Sequence, residues 1–236
     1  MVKIKILSTK KLSASLINDA NKKGITIIEK EFISIQPIRN GELESGIKNL
    51  SGREEIFVFT SAHAVDILKD LSKEKKFDLH GKVFCLSAAT KQAVLEAGFR
   101  WEITGEAEDG SGLAQVIIDS GVRHVNFFCS NRRRNELPEL LKNAGIEINE
   151  LVIYQTIETP EKFQEPVDGV TFFSPSAVQS FFSINQLDED VVCFAIGKTT
   201  ENTLRSFIQN KIVTSRFPSQ SAMMEAVQIY FKQNRV

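Results

Sequence analysis

Short apolar runs alternate with segments of helical periodicity along the whole chain, and this alternation limits the fold more than any other feature. Parallel strands need a crossover between them, usually a helix, so a parallel α/β sheet produces this pattern. Gly24 and Gly145 end two of the helical segments, at the position where a helix commonly stops. We therefore predict largely parallel sheets. The predicted strands are 3–7, 25–30, 56–59, 82–86, 124–129, 148–154, 170–173 and 191–196.

The two halves of the chain resemble each other. Residues 6–35 align without a gap on 127–156, which places Gly24 on Gly145. Two shorter pairs follow in the same order along both halves. They are 59–65 with 172–178, and 85–94 with 195–204. Matches that keep their order at nearly constant separation indicate an internal duplication.

Two proline-containing segments, 32–41 and 155–166, lie at equivalent points of the two halves. We interpret them as crossover linkers between two lobes. One lobe is then built from both chain ends, 1–35 with 161–236, and the other from the middle, 38–157. A double linker of this kind permits hinge motion around a cleft.

Hydroxyl side chains recur where a predicted strand passes into the next helix. In parallel sheets these turns all lie at the carboxyl edge, where ligands bind. Helix N-termini there present unpaired N–H groups, which favour phosphates and carboxylates. Helix capping alone also explains each residue taken singly. The residues are Ser8, Thr9, Thr60, Ser61, Ser87, Thr90, Ser130, Ser174, Ser176, Thr199 and Thr200.

Three further features are candidates for ligand contact. Residues 132–134 are three arginines that we expect to open a helix, where a cation opposes the helix dipole unless it has another role. Lys198 either pairs with a carboxylate or is an ordinary surface lysine. Tyr154, which we expect to end its strand, either only packs or also presents its hydroxyl to the cleft.

Composition excludes several classes of function. The net charge of −1 gives no general field for nucleic acid. Three cysteines argue against a disulfide framework, and we expect them to be buried, reduced thiols at strand ends. The three histidines are scattered, so no metal site is expected. The N-terminus lacks the apolar core of a signal peptide, and the run 191–196 is too short to span a membrane. We therefore expect a cytoplasmic protein.

Several segments resemble the uroporphyrinogen-III synthase family. FTSAHAV (59–65) resembles the family's F-T-S-x-N-A-V segment, with His63 in place of Asn. AIGKTTENTL (195–204) resembles its A-I-G-x-T-T turn, with Lys198 where proline is common. The other two matching segments are FFSPSAVQSFF (172–182) and LPELLKNAGIEINELVIYQT (137–156). There are two departures from the family pattern. Ser87 replaces a usual glycine, and the glycine before the family's helix arginine, here Arg134, is missing, with Arg132 and Arg133 in its place.

The resemblance implies two flavodoxin-like parallel α/β lobes, joined by a two-stranded linker, with the ligand cleft between them. It also implies a lyase of haem and tetrapyrrole biosynthesis that needs no cofactor. In its reaction hydroxymethylbilane loses water and closes into uroporphyrinogen III with ring D inverted. We expect a monomer that binds a polycarboxylate tetrapyrrole, and a transient contact with the preceding pathway enzyme stays open. The implied substrate-binding residues are Ser61, Thr90, Arg134, Ser174, Ser176, Gly197, Lys198, Thr199 and Thr200.

Within that reaction, our hypothesis is that Tyr154 is a general acid for the departing hydroxyl. Gly197 is expected to let the backbone approach the ligand closely. Two alternatives remain at this point. One is a non-catalytic tetrapyrrole- or anion-binding relative on the same scaffold. The other is a hinge-closing sensor for a small anionic metabolite.

Overall fold

A computed structural model describes residues 3–87 and 89–234 of the chain. The chain divides into two compact units. Unit 1 contains the residues up to Ser34 and those from Ile157 onward, and unit 2 contains Ile35–Thr156. The boundary falls inside two neighbouring strands, β3 (Ile33–Pro37) and β8 (Glu147–Glu158). The segments predicted as crossovers therefore contain β-structure.

Unit 1 is a five-stranded sheet with helices. In chain order its elements are β1 (Ile4–Ser8), α1 (Ala14–Lys22), β2 (Ile25–Glu29), β9 (Gly169–Phe172), α7 (Pro175–Phe182), β10 (Val192–Ala195), α8 (Lys198–Arg205), β11 (Ile212–Thr214) and α9 (Gln220–Asn234). The spatial order is β11-β10-β9-β1-β2, and the pairs are parallel. Counted within the unit this is the order 2-1-3-4-5 of flavodoxin-like sheets.

Unit 2 is a six-stranded sheet with helices. Besides β3 and β8, its elements are α2 (Gly41–Leu50), β4 (Glu54–Phe59), α3 (Ala62–Lys75), β5 (His80–Leu86), α4 (Ala89–Glu96), β6 (Arg100–Ala107), α5 (Gly110–Asp119), β7 (His124–Ser130) and α6 (Glu136–Asn143). The spatial order is β3-β8-β7-β4-β5-β6. The pairs among β4 to β8 are parallel.

The internal repeat has a structural counterpart. The aligned segments place β7 and β8 on β1 and β2, β4 on β9, and β5 on β10. Reading across each sheet, β8-β7-β4-β5-β6 in unit 2 corresponds position by position to β2-β1-β9-β10-β11 in unit 1. The two sheets thus share one arrangement, although the chain enters them at different strands. In both, the connections change direction at one point, between β1 and β9 in unit 1 and between β7 and β4 in unit 2.

Both faces of each sheet are covered, as parallel sheets require. In β4, Phe57 and Phe59 belong to one apolar cluster, whereas Val58 between them belongs to another. In β9 and β10, Phe194 and Phe172 likewise lie in separate clusters. Each sheet therefore lies between two apolar layers. None of the helices in residues 3–87 and 89–234 combines the length and apolar character needed to cross a membrane.

The two repeated glycines end their helices as predicted. Gly24 follows α1 and Gly145 follows α6, with φ of 77° and 76°, which is the left-handed region that glycine adopts without strain. After α6, the N–H of Ile146 donates to the carbonyl of Leu141, which pairs a terminal carbonyl of the helix. The matched backbone geometry explains why glycine stands at both positions.

Several sequence expectations need correction. All eight predicted strands are present, but β3, β6 and β11 were missed because they are short, edge-located or not continuously apolar. Residues 132–134 do not open a helix, since α6 starts at Glu136 and its N-cap is Asn135. Tyr154 does not end its strand. β8 continues to Glu158, because it has strand neighbours on both sides, β3 and β7.

Candidate functional site

Three hydroxyl residues of unit 2 lie at the carboxyl edge of its sheet. Ser130 ends β7, and Ser61 follows β4 as the N-cap of α3. These two strands flank the point where the connections of the sheet change direction, which is where open α/β sheets bind ligands. Tyr154 lies on β8, the next strand along. Three residues that are far apart in sequence therefore meet at one place.

A bulge in β8 brings Tyr154 to this place. Cys129 pairs with Val152, so a regular register would put Ile153 opposite Ser130, but Ser130 pairs with Tyr154 instead. One extra residue in β8 causes the shift. As a result Ile153 and Tyr154, although adjacent in sequence, pack into the same apolar cluster. β-Bulges commonly redirect a side chain near a functional site.

The Tyr154 side chain is buried, and the residue is only 6% exposed. Its ring packs edge-on to His63 with ring centres 6.2 Å apart. Burial raises the pKa of the Tyr154 phenol, and hydrogen bonds with the Ser61 and Ser130 hydroxyls offset part of that rise. The net effect is a pKa above the ordinary value, so the phenol keeps its proton at neutral pH.

Two backbone N–H groups hold the serine oxygens. The N–H of His63 donates to Ser61 Oγ at 3.2 Å, and the N–H of Arg132 donates to Ser130 Oγ at 3.1 Å. The sequence marked Ser130 as one hydroxyl among many and did not include it in the set of binding residues. The sequence feature that could have singled out Ser130 is its alignment with Thr9 in the internal repeat.

The arginines after β7 differ in their surroundings. Arg133 pairs with Glu150 at 2.5 Å and also donates to the Asn135 side chain. Arg134 is exposed, and its charge lies near Asp109, the N-cap of α5. The pKa of Asp109 is lowered, first by the N–H of Gly112 and to a smaller extent by Arg134.

In unit 1 the corresponding turns hold Ser174 and Gly197. Ser174 is the N-cap of α7, and its Oγ accepts the N–H of Ala177 at 3.1 Å. Gly197 is the N-cap of α8 and has extended backbone angles. A Cβ added to Gly197 would meet no protein atom within 4 Å. The space beside this backbone is therefore open, and the predicted ligand contact at Gly197 stays a prediction.

The remaining predicted residues differ in exposure. Thr90 and Thr200 occupy equivalent positions in the first turns of α4 and α8, and both are buried. Ser176 and Thr199 are half-buried. The Ser8 and Thr9 hydroxyls donate to backbone carbonyls, those of Lys10 and Thr171. The hydroxyl protons of Ser8 and Thr9 are thus used in hydrogen bonds within the fold.

Lys198 is held by a carboxylate of its own helix. Its Nζ lies 3.1 Å from Glu201, whose side chain is 9% exposed. Glu201 also pairs with Arg205 at 2.7 Å and accepts a hydrogen bond from the Thr214 hydroxyl at 2.8 Å. Arg205, Thr214 and Lys198 together lower the pKa of Glu201 to about 2. This carboxylate therefore ties the first turn of α8 to β11.

The cysteines are buried and free, as predicted. Burial raises the thiol pKa to about 11 for Cys85 and to about 12 for Cys129 and Cys193. Thiols of such high pKa are poor nucleophiles at neutral pH. Within the described part of the chain, no cluster of three or more histidine, cysteine, aspartate or glutamate side chains is arranged to hold a metal ion.

A family model described as "Uroporphyrinogen-III synthase HemD" matches residues 14–225. The chain belongs to the uroporphyrinogen-III synthase family. Its curated relatives include the uroporphyrinogen-III synthase of Saccharomyces cerevisiae, which is 27% identical over 229 residues, covering 83% of this chain and 82% of the yeast protein. The resemblance in the sequence motifs is thereby confirmed.

Solved structures of the family share the fold. A mutant uroporphyrinogen III synthase from the extremely thermophilic bacterium Thermus thermophilus matches with a TM-score of 0.67 and 15% identity, over 97% of this chain and 98% of that chain. The uroporphyrinogen-III synthetase from Helicobacter pylori matches with a TM-score of 0.64 and 15% identity, over 96% and 99%. At such low identity these matches concern the fold alone, and they confirm the predicted class of parallel α/β units.

Proposed function

We propose that this chain is a uroporphyrinogen-III synthase. It converts hydroxymethylbilane into uroporphyrinogen III and water, with inversion of ring D. The hydroxymethyl C–O bond breaks, the oxygen leaves as water, and the resulting cation bonds to the ring D carbon that already carries the bridge to ring C, which gives a spiro intermediate. The old bridge bond to ring D then breaks, and the bridge carbon bonds to the free α-carbon of ring D, which loses its proton. The proton released from ring D balances the proton that the leaving oxygen takes up. Membership of the family over residues 14–225 is the observation that carries this proposal.

The chemistry of the site suits a substrate that is already reactive. The cysteine thiols keep their protons, and the hydroxyl groups of the turns are neutral donors. Such a site accelerates a reaction by holding the substrate in the productive conformation and by stabilising charge that develops during the reaction. The cyclisation needs both, because an extended bilane must fold before its ends can join.

We propose that the turn residues bind the substrate carboxylates. Hydrogen bonds from neutral donors to a carboxylate contribute about 1.5–3 kcal/mol each. The N-terminus of α7 at Ser174 and that of α8 at Gly197 add N–H groups and the positive end of a helix dipole. Lys198 adds a fixed positive charge beside them. The proposed binding residues are Thr90, Arg134, Ser174, Ser176, Gly197, Lys198, Thr199 and Thr200. Ser61, also predicted from the sequence, has a different proposed role as a hydrogen-bond partner of Tyr154.

Tyr154 is the proposed general acid. Its phenol remains protonated at neutral pH and lies at the carboxyl edge of the sheet. It is next to the point between β7 and β4 where the connections of the sheet change direction. Donation of that proton to the departing hydroxyl makes water the leaving group. The proton later released from ring D restores the phenol.

The test is an isomer assay. Purified protein receives freshly generated hydroxymethylbilane, and the oxidised products are separated into type I and type III isomers. Uncatalysed closure, measured without protein, gives type I. We expect mainly type III with the protein present. Type I alone, at the rate of the control without protein, would contradict the proposal and favour a non-catalytic binding relative.

A further inference from the structure

The Tyr154 phenol has two hydrogen-bond partners, the Ser61 and Ser130 hydroxyls. It has one proton of its own, so at least one of the two serines must donate to its oxygen. Ser61 Oγ and Ser130 Oγ each accept a backbone N–H, from His63 and from Arg132. A hydroxyl has one proton to donate and accepts through its lone pairs. With its oxygen already accepting an N–H, each serine has its own proton available for the Tyr154 oxygen.

The effect on the pKa of the phenol agrees with donation by the serines. Burial is the largest influence and raises the pKa of Tyr154, whereas the bonds with Ser61 and Ser130 lower it. A hydrogen bond lowers the pKa of a phenol when it is donated to the phenol oxygen, because it stabilises the phenolate. This sign agrees with serine hydroxyls that donate to the Tyr154 oxygen, an arrangement that leaves the Tyr154 O–H proton for another acceptor.

The equivalent place in unit 1 has a different composition. The internal repeat aligns Ser130 with Thr9, and Tyr154 with Ile33. The Thr9 hydroxyl donates to the Thr171 carbonyl at 2.9 Å, so its proton is used within the sheet. Among the described residues, the point between β7 and β4, where the connections of unit 2 change direction, thus combines a phenol with hydroxyl donors. The equivalent point of unit 1, between β1 and β9, does not. A general requirement of the fold would have kept the same pattern in both units.

We propose that Ser130 and Ser61 are positioning residues for Tyr154: by donating to its oxygen, they direct the phenol proton toward the substrate. This rests on the proposed role of Tyr154 as general acid. In the step, the proton moves from Tyr154 Oη to the departing hydroxyl oxygen, and water leaves. The two serine bonds stabilise the transient phenolate until the proton from ring D returns to it.

A titration tests the hydrogen bonds without substrate. The chain has two tyrosines, so Tyr230→Phe leaves Tyr154 alone. Incorporating 3-fluorotyrosine into that variant gives one fluorine NMR signal, and the electron-withdrawing fluorine lowers the phenol pKa. We expect Ser130→Ala and Ser61→Ala each to raise the titration midpoint by about half a pH unit or more.

Ser72→Ala is the matched control. Ser72 lies in α3, and its hydroxyl donates to the Lys69 carbonyl within that helix. We expect it to leave the midpoint unchanged. If Ser130→Ala shifts the midpoint no more than Ser72→Ala does, the proposal is wrong. This result is independent of whether the protein makes the type III isomer.

A double-mutant cycle tests the catalytic consequence. We expect Ser130→Ala to reduce the rate of type III formation at least several-fold in the protein with Tyr154, and to have no further effect in Tyr154→Phe. Ser130→Thr keeps the hydroxyl and should restore most of the rate. Equal losses in both backgrounds would indicate a purely structural role and would overturn the proposal, even if Ser130→Ala were partly unfolded.

Discussion

Ser130 pairs with Tyr154 across β7 and β8, although the register of the preceding residues would place Ile153 there. The extra residue in β8 puts the phenol at the carboxyl edge of the sheet, beside the two serines. A regular strand would turn Tyr154 to the opposite face, because neighbouring residues of a strand alternate between faces. The bulge therefore determines that this chain has a tyrosine at its candidate site.

Tyr154→Phe should lower the rate of type III formation by about 100-fold, the low end of what a general acid contributes. The ring is retained, so the apolar packing around it should persist. The measurement is the rate of conversion of hydroxymethylbilane, together with the unfolding free energy in urea. Tyr230→Phe, in α9, is the control and should keep full activity. Full turnover in Tyr154→Phe would rule out the proposed role.

Ser174 has two roles that substitutions can separate. Ser174→Ala removes the cap of α7 and should cost about 1 kcal/mol of unfolding free energy, whereas Ser174→Gly should cost only a few tenths. If the hydroxyl binds a substrate carboxylate, both variants should raise the KM for hydroxymethylbilane several-fold. If instead KM rises only in Ser174→Ala and stays near the wild-type value in Ser174→Gly, as the unfolding free energy does, Ser174 is a helix cap only.

Gly197→Ala tests the open space beside the α8 turn. The added methyl group meets no protein atom within 4 Å, so the unfolding free energy should change little. A ligand that contacts this backbone would meet the methyl group, and KM should rise about tenfold. Gly41→Ala in α2 is the control, since its Cβ also meets nothing within 4 Å. An unchanged KM in Gly197→Ala would contradict the proposed contact.

Glu201 should make stability depend on acid pH. Its pKa is lowered from 4.5 to about 2, so its charged form stabilises the fold above pH 4.5. That contribution should be lost as the pH falls from about 4.5 to 2. Glu201→Gln should therefore reduce the unfolding free energy at pH 7, on the order of 2 kcal/mol, and the difference should vanish near pH 2.

Urea unfolding at several pH values measures this effect of Glu201. The exposed Glu225 of α9 provides the control, and Glu225→Gln should show no such dependence. A difference between Glu201→Gln and the unsubstituted protein that stays constant from pH 7 to pH 2 would contradict the role assigned to the Glu201 charge.

The amino-acid sequence by itself determined the alternation of strands and helices, the internal repeat and the recurrence of hydroxyl residues after strands. These are local properties: each follows from apolar spacing, from a glycine such as Gly24 or from a cap such as Ser174. The family could be recognised at this level, because its motifs are short segments that lie on single turns. The edge strand β3 was not predicted, because its residues are only partly buried and show weak alternation of apolar and polar side chains.

Only the tertiary structure decided which hydroxyl side chains lie together at one place. Ser61, Ser130 and Tyr154 are separated by tens of residues, and the order of the strands brings them together. The bulge depends on the pairing of β8 with its neighbours. The hydrogen bond from Thr214 to Glu201 depends on how the first turn of α8 lies against β11. These features arise from contacts between distant segments, whose register and direction no local pattern specifies.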